Sequence, residues 1–174
     1  MQFSILSTLL FSLLLQGVAA APADVSSNSV SAAEKLQEGY AAIVSEDRKP
    51  PSNTSDTEAV VKRDHCNFSQ GITRSDVVAL SNELMNNSPW TWSYLEHGWV
   101  RWWTWGSARI CLYNDYWFEN THVSRFEGGW AAEFIMNSCG YDGSGRVRGG
   151  QATAHGDSGL SLRAELRNAY NTGC

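Results

Sequence analysis

Apolar and polar residues alternate most strictly over residues 160–167, where Leu160, Leu162, Ala164 and Leu166 interleave with Ser161, Arg163, Glu165 and Arg167. Successive side chains of a strand point to opposite faces, so this period of two predicts a strand with one buried face. Residues 151–155 are placed to pair with it across Gly156-Asp157-Ser158-Gly159, a sequence rich in turn formers. The same alternation predicts a strand over 108–114, with Ala108, Ile110 and Leu112 opposed to Arg109, Cys111 and Tyr113. Residues 98–105 carry Trp99, Trp102, Trp103 and Trp105 and read as a further strand, because aromatics fit a pleated, half-buried surface. Gly106-Ser107 would join the two as a hairpin.

Helical spacing governs two other stretches. Over 73–85, Val77, Leu80 and Leu84 share a face. Thr73 is placed as N-cap with Asp76 three residues on, and Asn86-Asn87-Ser88-Pro89 ends the helix. Over 121–139, Val123, Phe126, Trp130, Phe134 and Ile135 lie near one face. Gly128-Gly129 weakens that helix by about 1 kcal/mol per glycine, so its firm part is expected from Trp130. The order helix, strands, helix, strands predicts an α+β fold, a two-layer α/β sandwich in which two helices cover one face of a small antiparallel sheet.

Residues 1–63 follow different rules. Ile5 to Leu15 is an apolar run ending in Val18-Ala19-Ala20, the pattern of a secretory signal cut after Ala20. Residues 21–63 hold neither Cys nor Trp and are rich in Ala, Ser, Glu and Asp. Such a segment reads as a propeptide or linker, because it cannot bury enough apolar surface to offset ordering. Within it, Leu36, Tyr40, Ile43 and Val44 share a face at helical spacing. The reading is a spacer with a transient helix over 32–44, the alternative a folding aid or mask over the following domain. Lys62-Arg63 ends the segment, and all four cysteines and all eight tryptophans come after it. Cutting after Arg63 would release a domain of residues 64–174.

Four cysteines in a secreted domain imply two disulfides, with three possible pairings. Cys66–Cys174 with Cys111–Cys139 is the expected pair, the first closing a loop worth about 4.7 kcal/mol by chain entropy. No Cys-x-x-Cys pair or His-x-x-x-His spacing suggests a metal, and no cofactor is expected. Residues 64–174 contain eight Arg, no Lys and eleven Asp plus Glu. A net acidic domain lacks the basic patch that nucleic acid requires. Nor is stable membrane insertion expected, because no other run approaches the about 20 apolar residues of a span. Asn53, Asn67 and Asn86 each open an Asn-x-Ser/Thr sequon.

The aromatic strand is the first candidate for function. Trp99, Arg101, Trp103 and Trp105 would share one side, and Val100, Trp102 and Thr104 the other. A two-layer sandwich buries one sheet face well, so some tryptophan is expected at the surface, where it would stack on sugars or enter a protein pocket. The competing expectation is that these rings fill a small core. A catalytic alternative is a small ribonuclease using Glu119, His122 and His155 for acid–base attack of a ribose 2′-OH, with Arg109 or Arg125 holding phosphate. Gly156-Asp157-Ser158-Gly159 is similar to the nucleophile loop of trypsin-like proteases, but the domain is half the size that scaffold needs, and a turn explains the residues.

Signal, propeptide, Lys62-Arg63 and a small cysteine-paired domain together resemble the kexin-processed effectors and killer toxins secreted by filamentous fungi. Ile110-Cys111, a helix to Cys139-Gly140, Gly149-Gly150-Gln151, Gly156-Asp157 and a final alternating strand to Cys174 look like the ending of virally encoded fungal killer toxins. Those toxins have α/β-sandwich folds, more cysteines and a basic character. The resemblance implies the fold class and a secreted protein antagonistic to a host or competitor. With the aromatic strand as binding surface, a monomer that binds a host or competitor protein without catalysis is expected, the alternative being a cell-wall glycan module. It carries over no functional residue.

Overall fold

A computed structural model describes residues 36–43, 66, 71–171 and 173–174. Within them the order is β1 (Gln37–Ala42), α1 (Arg74–Asn86), β2 (Trp92–Leu95), β3 (Trp99–Trp105), β4 (Ala108–Tyr113), β5 (Thr121–Ser124), α2 (Arg125–Cys139), β6 (Gly150–His155) and β7 (Ser161–Asn168). Five strands form an antiparallel sheet in the order β1-β3-β4-β7-β6, and β2 pairs with β5 in a separate ribbon. The fold is α+β. Both helices pack on one face of the large sheet, α1 over β3 and β4 and α2 over β4, β6 and β7.

The alternations set the core. Ile110 and Leu112 of β4 and Leu162, Ala164 and Leu166 of β7 meet Leu80 and Leu84 of α1 and Ala131, Ala132 and Ile135 of α2, all buried. Gly128 and Gly129 lie inside α2, which begins at Arg125 rather than at Trp130. Their role is close approach. A Cβ at Gly129 would stand 2.9 Å from the Ser81 carbonyl oxygen of α1, and one at Gly128 would stand 2.8 Å from the Trp103 ring. The Ser81 hydroxyl donates to the Gly129 carbonyl at this crossing, so the two glycines exchange helix propensity for tight packing of helix on helix and helix on sheet.

Several expectations need correction. Residues 121–124 are not helical. They form β5, whose last residue Ser124 caps α2 by accepting from the Glu127 backbone N–H. Thr73 occupies the N-cap of α1 without a side-chain capping bond. Asp76 instead accepts from both the backbone N–H and the hydroxyl of Ser107, and so pins the β3–β4 turn to the helix. Residues 37–42 are neither helix nor spacer but the edge strand β1. Its six residues are almost all exposed, so little burial marks it in the sequence.

The disulfides are Cys66–Cys139 and Cys111–Cys174, not Cys66–Cys174 and Cys111–Cys139. Cys111 alternates with Ile110 and Leu112, which face the helices, so its sulfur points to the opposite face of the sheet, out of reach of α2. There it joins Val100, Tyr113, half-buried Trp102 and Cys174 in a second, smaller cluster. The bonded residues are 73 and 63 apart in sequence, so each bond stabilises by about 4 kcal/mol in the chain-entropy picture. A polar network shares this face. Buried Glu165 accepts from Gln151, Arg163 and Arg167, and Arg163 also reaches Asp115.

Candidate binding site

β3 sorts its side chains as its alternation requires. Trp99, Arg101, Trp103 and Trp105 lie on the helix side, while Val100 and Trp102 face the disulfide side. Trp103 is fully buried, with its ring against Gly128, and belongs to the core. Trp99, Trp102, Trp105 and Arg101 are half-buried. The aromatic strand therefore presents no open tryptophan face. Its outer edge is covered by β1, from Gln37 opposite Thr104 to Ala42 opposite Trp99, and the Ile43 N–H extends the pairing to the Gly98 carbonyl.

Each side of β1 is matched to β3. On the helix side, one carboxylate oxygen of Glu38 accepts from the Trp103 indole N–H at 2.9 Å and from the Arg101 guanidinium at 2.7 Å. The Arg101 side chain is only 12% exposed and sits 5.2 Å from the Trp103 ring centre. Tyr40 packs on Trp99 at 5.6 Å between ring centres. On the other side Trp102 lies directly across Gly39, where a Cβ would stand 2.4 Å from the indole ring. Leu36 joins the main core and Ile43 the disulfide cluster.

A cleft of about 360 Å³ opens beside this seam, lined by Tyr40 of β1, Trp99 and Arg101 of β3, Ser93, Tyr94 and Leu95 of β2, and Glu96. The outward face of β2 carries exposed Trp92 and Tyr94. Tyr94 meets the His122 ring edge-on, and Trp90 stacks on Phe126. Sequence reasoning named Trp99, Arg101, Trp102, Trp103 and Trp105 and missed Glu38, Tyr40, Trp92 and Tyr94. For β2 the signal was present in the alternation Trp92, Ser93, Tyr94, Leu95.

The five groups of the ribonuclease alternative have separate partners. His122 Nδ1 lies 3.0 Å from Asp157, which also accepts from the His122 backbone N–H and from the Thr121 hydroxyl. The His122 backbone N–H, with the Thr121 hydroxyl and the His122 ring assisting, holds the Asp157 carboxyl below the usual aspartate range. Glu119 accepts from the Phe118 N–H, and the His155 N–H donates to Glu127. Arg109 donates to Thr104 on the disulfide side of the sheet, whereas Arg125 reaches Glu83 of α1. Asp157 and Ser158 sit in the β6–β7 turn, as expected of Gly156-Asp157-Ser158-Gly159.

Ala20, Asn53, Lys62, Arg63 and Asn67 lie outside the described residues. Asn86 is exposed in the last turn of α1. Among the described residues no three His, Cys, Asp or Glu side chains converge on a metal position, and no helix is long and apolar enough to cross a membrane. The two disulfides fit an oxidising, extracellular setting. In comparisons with known proteins, no family model matches the chain, and no curated protein or solved structure is significantly similar to it.

Proposed function

We propose that this chain is the precursor of a small secreted binding protein of the fungal effector or killer-toxin kind, matured by cutting after Arg63 and acting on a host or competitor without catalysis. The observation that carries this reading is the seam between β1 and β3. The segment that precedes Lys62-Arg63 supplies a strand that covers the tryptophan-rich edge of the domain that follows, through Glu38 on Arg101 and Trp103 and Tyr40 on Trp99. A propeptide that covers an aromatic edge is what a protein needs if that edge is to stay inactive until export. The domain is stapled by two disulfides, which suits work outside the cell.

The test is to secrete the full chain from a fungal host and determine the intact mass and N-terminus of the product. Material beginning at Asp64 is expected. The purified product is then applied to plant tissue and to competitor fungi, where damage to one and not the other tells effector from killer toxin. Product beginning at Ala21 and indifference in both assays would defeat the proposal.

Exposed Trp92 and Tyr94 on one face of β2 favour a second reading, a cell-wall glycan module, because flat ring faces stack on sugars. Polysaccharide pull-down lost on Trp92→Ala with an unchanged circular dichroism spectrum would select it.

A further inference from the structure

The outer edge of β3 is built to receive a particular kind of strand. An exposed edge ordinarily offers only a row of unpaired backbone groups. This edge adds two side-chain donors aimed at one spot, the Trp103 indole N–H and the Arg101 guanidinium, both meeting the same Glu38 carboxylate oxygen. Trp103 is fully buried. With β1 gone water reaches both donors, so a strand that takes its place must bring an acceptor to this spot or leave the two donors buried and unpaired, which is costly. The next position of the seam admits only a residue without a side chain, because Trp102 covers it. The position after that places an aromatic ring on Trp99 beside the cleft.

We infer that the β3 edge is a strand-accepting site specific for an extended acidic–glycine–aromatic segment, which residues 38–40 occupy in the full chain and a strand of a partner protein occupies once they leave. The inference rests on the maturation reading above. Neither disulfide ties β1 to the sheet. After a cut at Arg63 what retains it, among the described residues, is backbone pairing and the contacts of Leu36, Glu38, Tyr40 and Ile43, and a competing strand with the same pattern can take its place. Main-chain hydrogen bonds supply affinity in such strand addition, and the alternate side-chain pockets supply specificity. The charge is complementary: the site presents a cation and an N–H donor, so the partner brings the carboxylate.

The experiment uses the full chain with a second, site-specific protease sequence inserted at residue 58, so that it can be cut whether or not Lys62-Arg63 is processed. The probe is a fluorescein-labelled synthetic peptide of residues 34–45, followed by anisotropy. The cut chain is expected to capture the peptide, and the uncut chain to ignore it. Glu38→Gln in the peptide should weaken capture at least about tenfold, since hydrogen bonds to a charged group are the strong ones. Gly39→Val should abolish it. A random peptide library selected on the cut chain should return an acidic residue followed by glycine.

Failure of the cut chain to take up the peptide, equal capture of the Glu38→Gln peptide, or a library without an acidic consensus would each overturn the inference. So would a cut chain of doubled mass in light scattering that the peptide does not return to a monomer, which would assign the edge to a second copy. Secreted material left uncut at Arg63 would remove the maturation step alone, because capture on the inserted-site chain is measured independently of it.

Discussion

Glu165 is the residue whose replacement most directly tests the polar face of the sheet. It lies on β7 with its side chain 2% exposed, and it takes hydrogen bonds from Gln151, Arg163 and Arg167. Arg163 in turn donates twice to Asp115 and lies 3.9 Å from the centre of the Tyr113 ring. Glu165→Gln keeps the shape and removes the charge, so two arginines are left with the single carboxylate of Asp115, which only Arg163 reaches. Removing one member of a buried ionic network costs about 3–5 kcal/mol. Arg163 and Arg167 keep 21% and 31% of their side-chain exposure, so water recovers part of the loss and the lower end, about 3 kcal/mol, is expected. At about 4 °C per kcal/mol for a domain near this size, the melting temperature should fall by about 12 °C. The assay is thermal unfolding of the non-reduced protein, followed by circular dichroism at neutral pH. Glu165→Met, of similar volume, should be no better, because it strands the same arginines. A fall of less than about 4 °C for Glu165→Gln would refute the idea that this network bears stability.

Two further outcomes follow from the same structure. Burial first, then the Glu165 carboxylate, pushes the Tyr113 hydroxyl up to about 12 from an ordinary value of 10.0. The folded state thus holds a proton that the unfolded state releases, so stability is intact below pH 10 and falls by about 2 kcal/mol as pH rises to 12. Ultraviolet titration of tyrosinate should show Tyr113 ionising late, and Glu165→Gln should bring it earlier, since a lost negative neighbour favours the phenolate. Gly129→Ala should destabilise by about 1–2 kcal/mol in denaturant titrations although alanine is the better helix former, because overpacking against the Ser81 carbonyl outweighs the roughly 1 kcal/mol propensity gain. A stabilised Gly129→Ala would mean that the helices do not cross there.

What the sequence disclosed depended on how much burial each element enforces. β4 and β7 sit inside the sheet, so their alternation is strict and their pairing with β3 and β6 as hairpins could be expected. The capping box at Ser124-Arg125-Phe126-Glu127 was available as a start signal for α2. It was hidden because β5 runs into the helix without a break and both share apolar residues. β1 was misread for the opposite reason. Leu36, Tyr40 and Ile43 satisfy a helical spacing as well as an extended one, and an edge strand leaves few buried positions to decide between them. The cysteine pairing was decidable in principle, since the alternation of β4 turns Cys111 away from the helix that carries Cys139. At the candidate site the tryptophans of β3 were legible as a concentration of aromatics. Their covering by Glu38, Gly39 and Tyr40 was not, because those residues lie across Lys62-Arg63 in a segment whose composition suggests no structure.

The two disulfides overlap along the chain, Cys66–Cys139 enclosing Cys111 and Cys111–Cys174 enclosing Cys139. This gives the molecule an uneven response to force. A pull between Cys66 and Cys174 is carried across the first bond, back along the backbone to Cys111 and across the second. Only the stretch from Cys111 to Cys139 can then lengthen, to about 100 Å, against about 380 Å for the unbridged chain. β1 stands outside this closed frame. Tension applied to it works against non-covalent edge pairing and the contacts of Leu36, Glu38, Tyr40 and Ile43, so among the described residues β1 peels from β3 while the bridged frame stays locked.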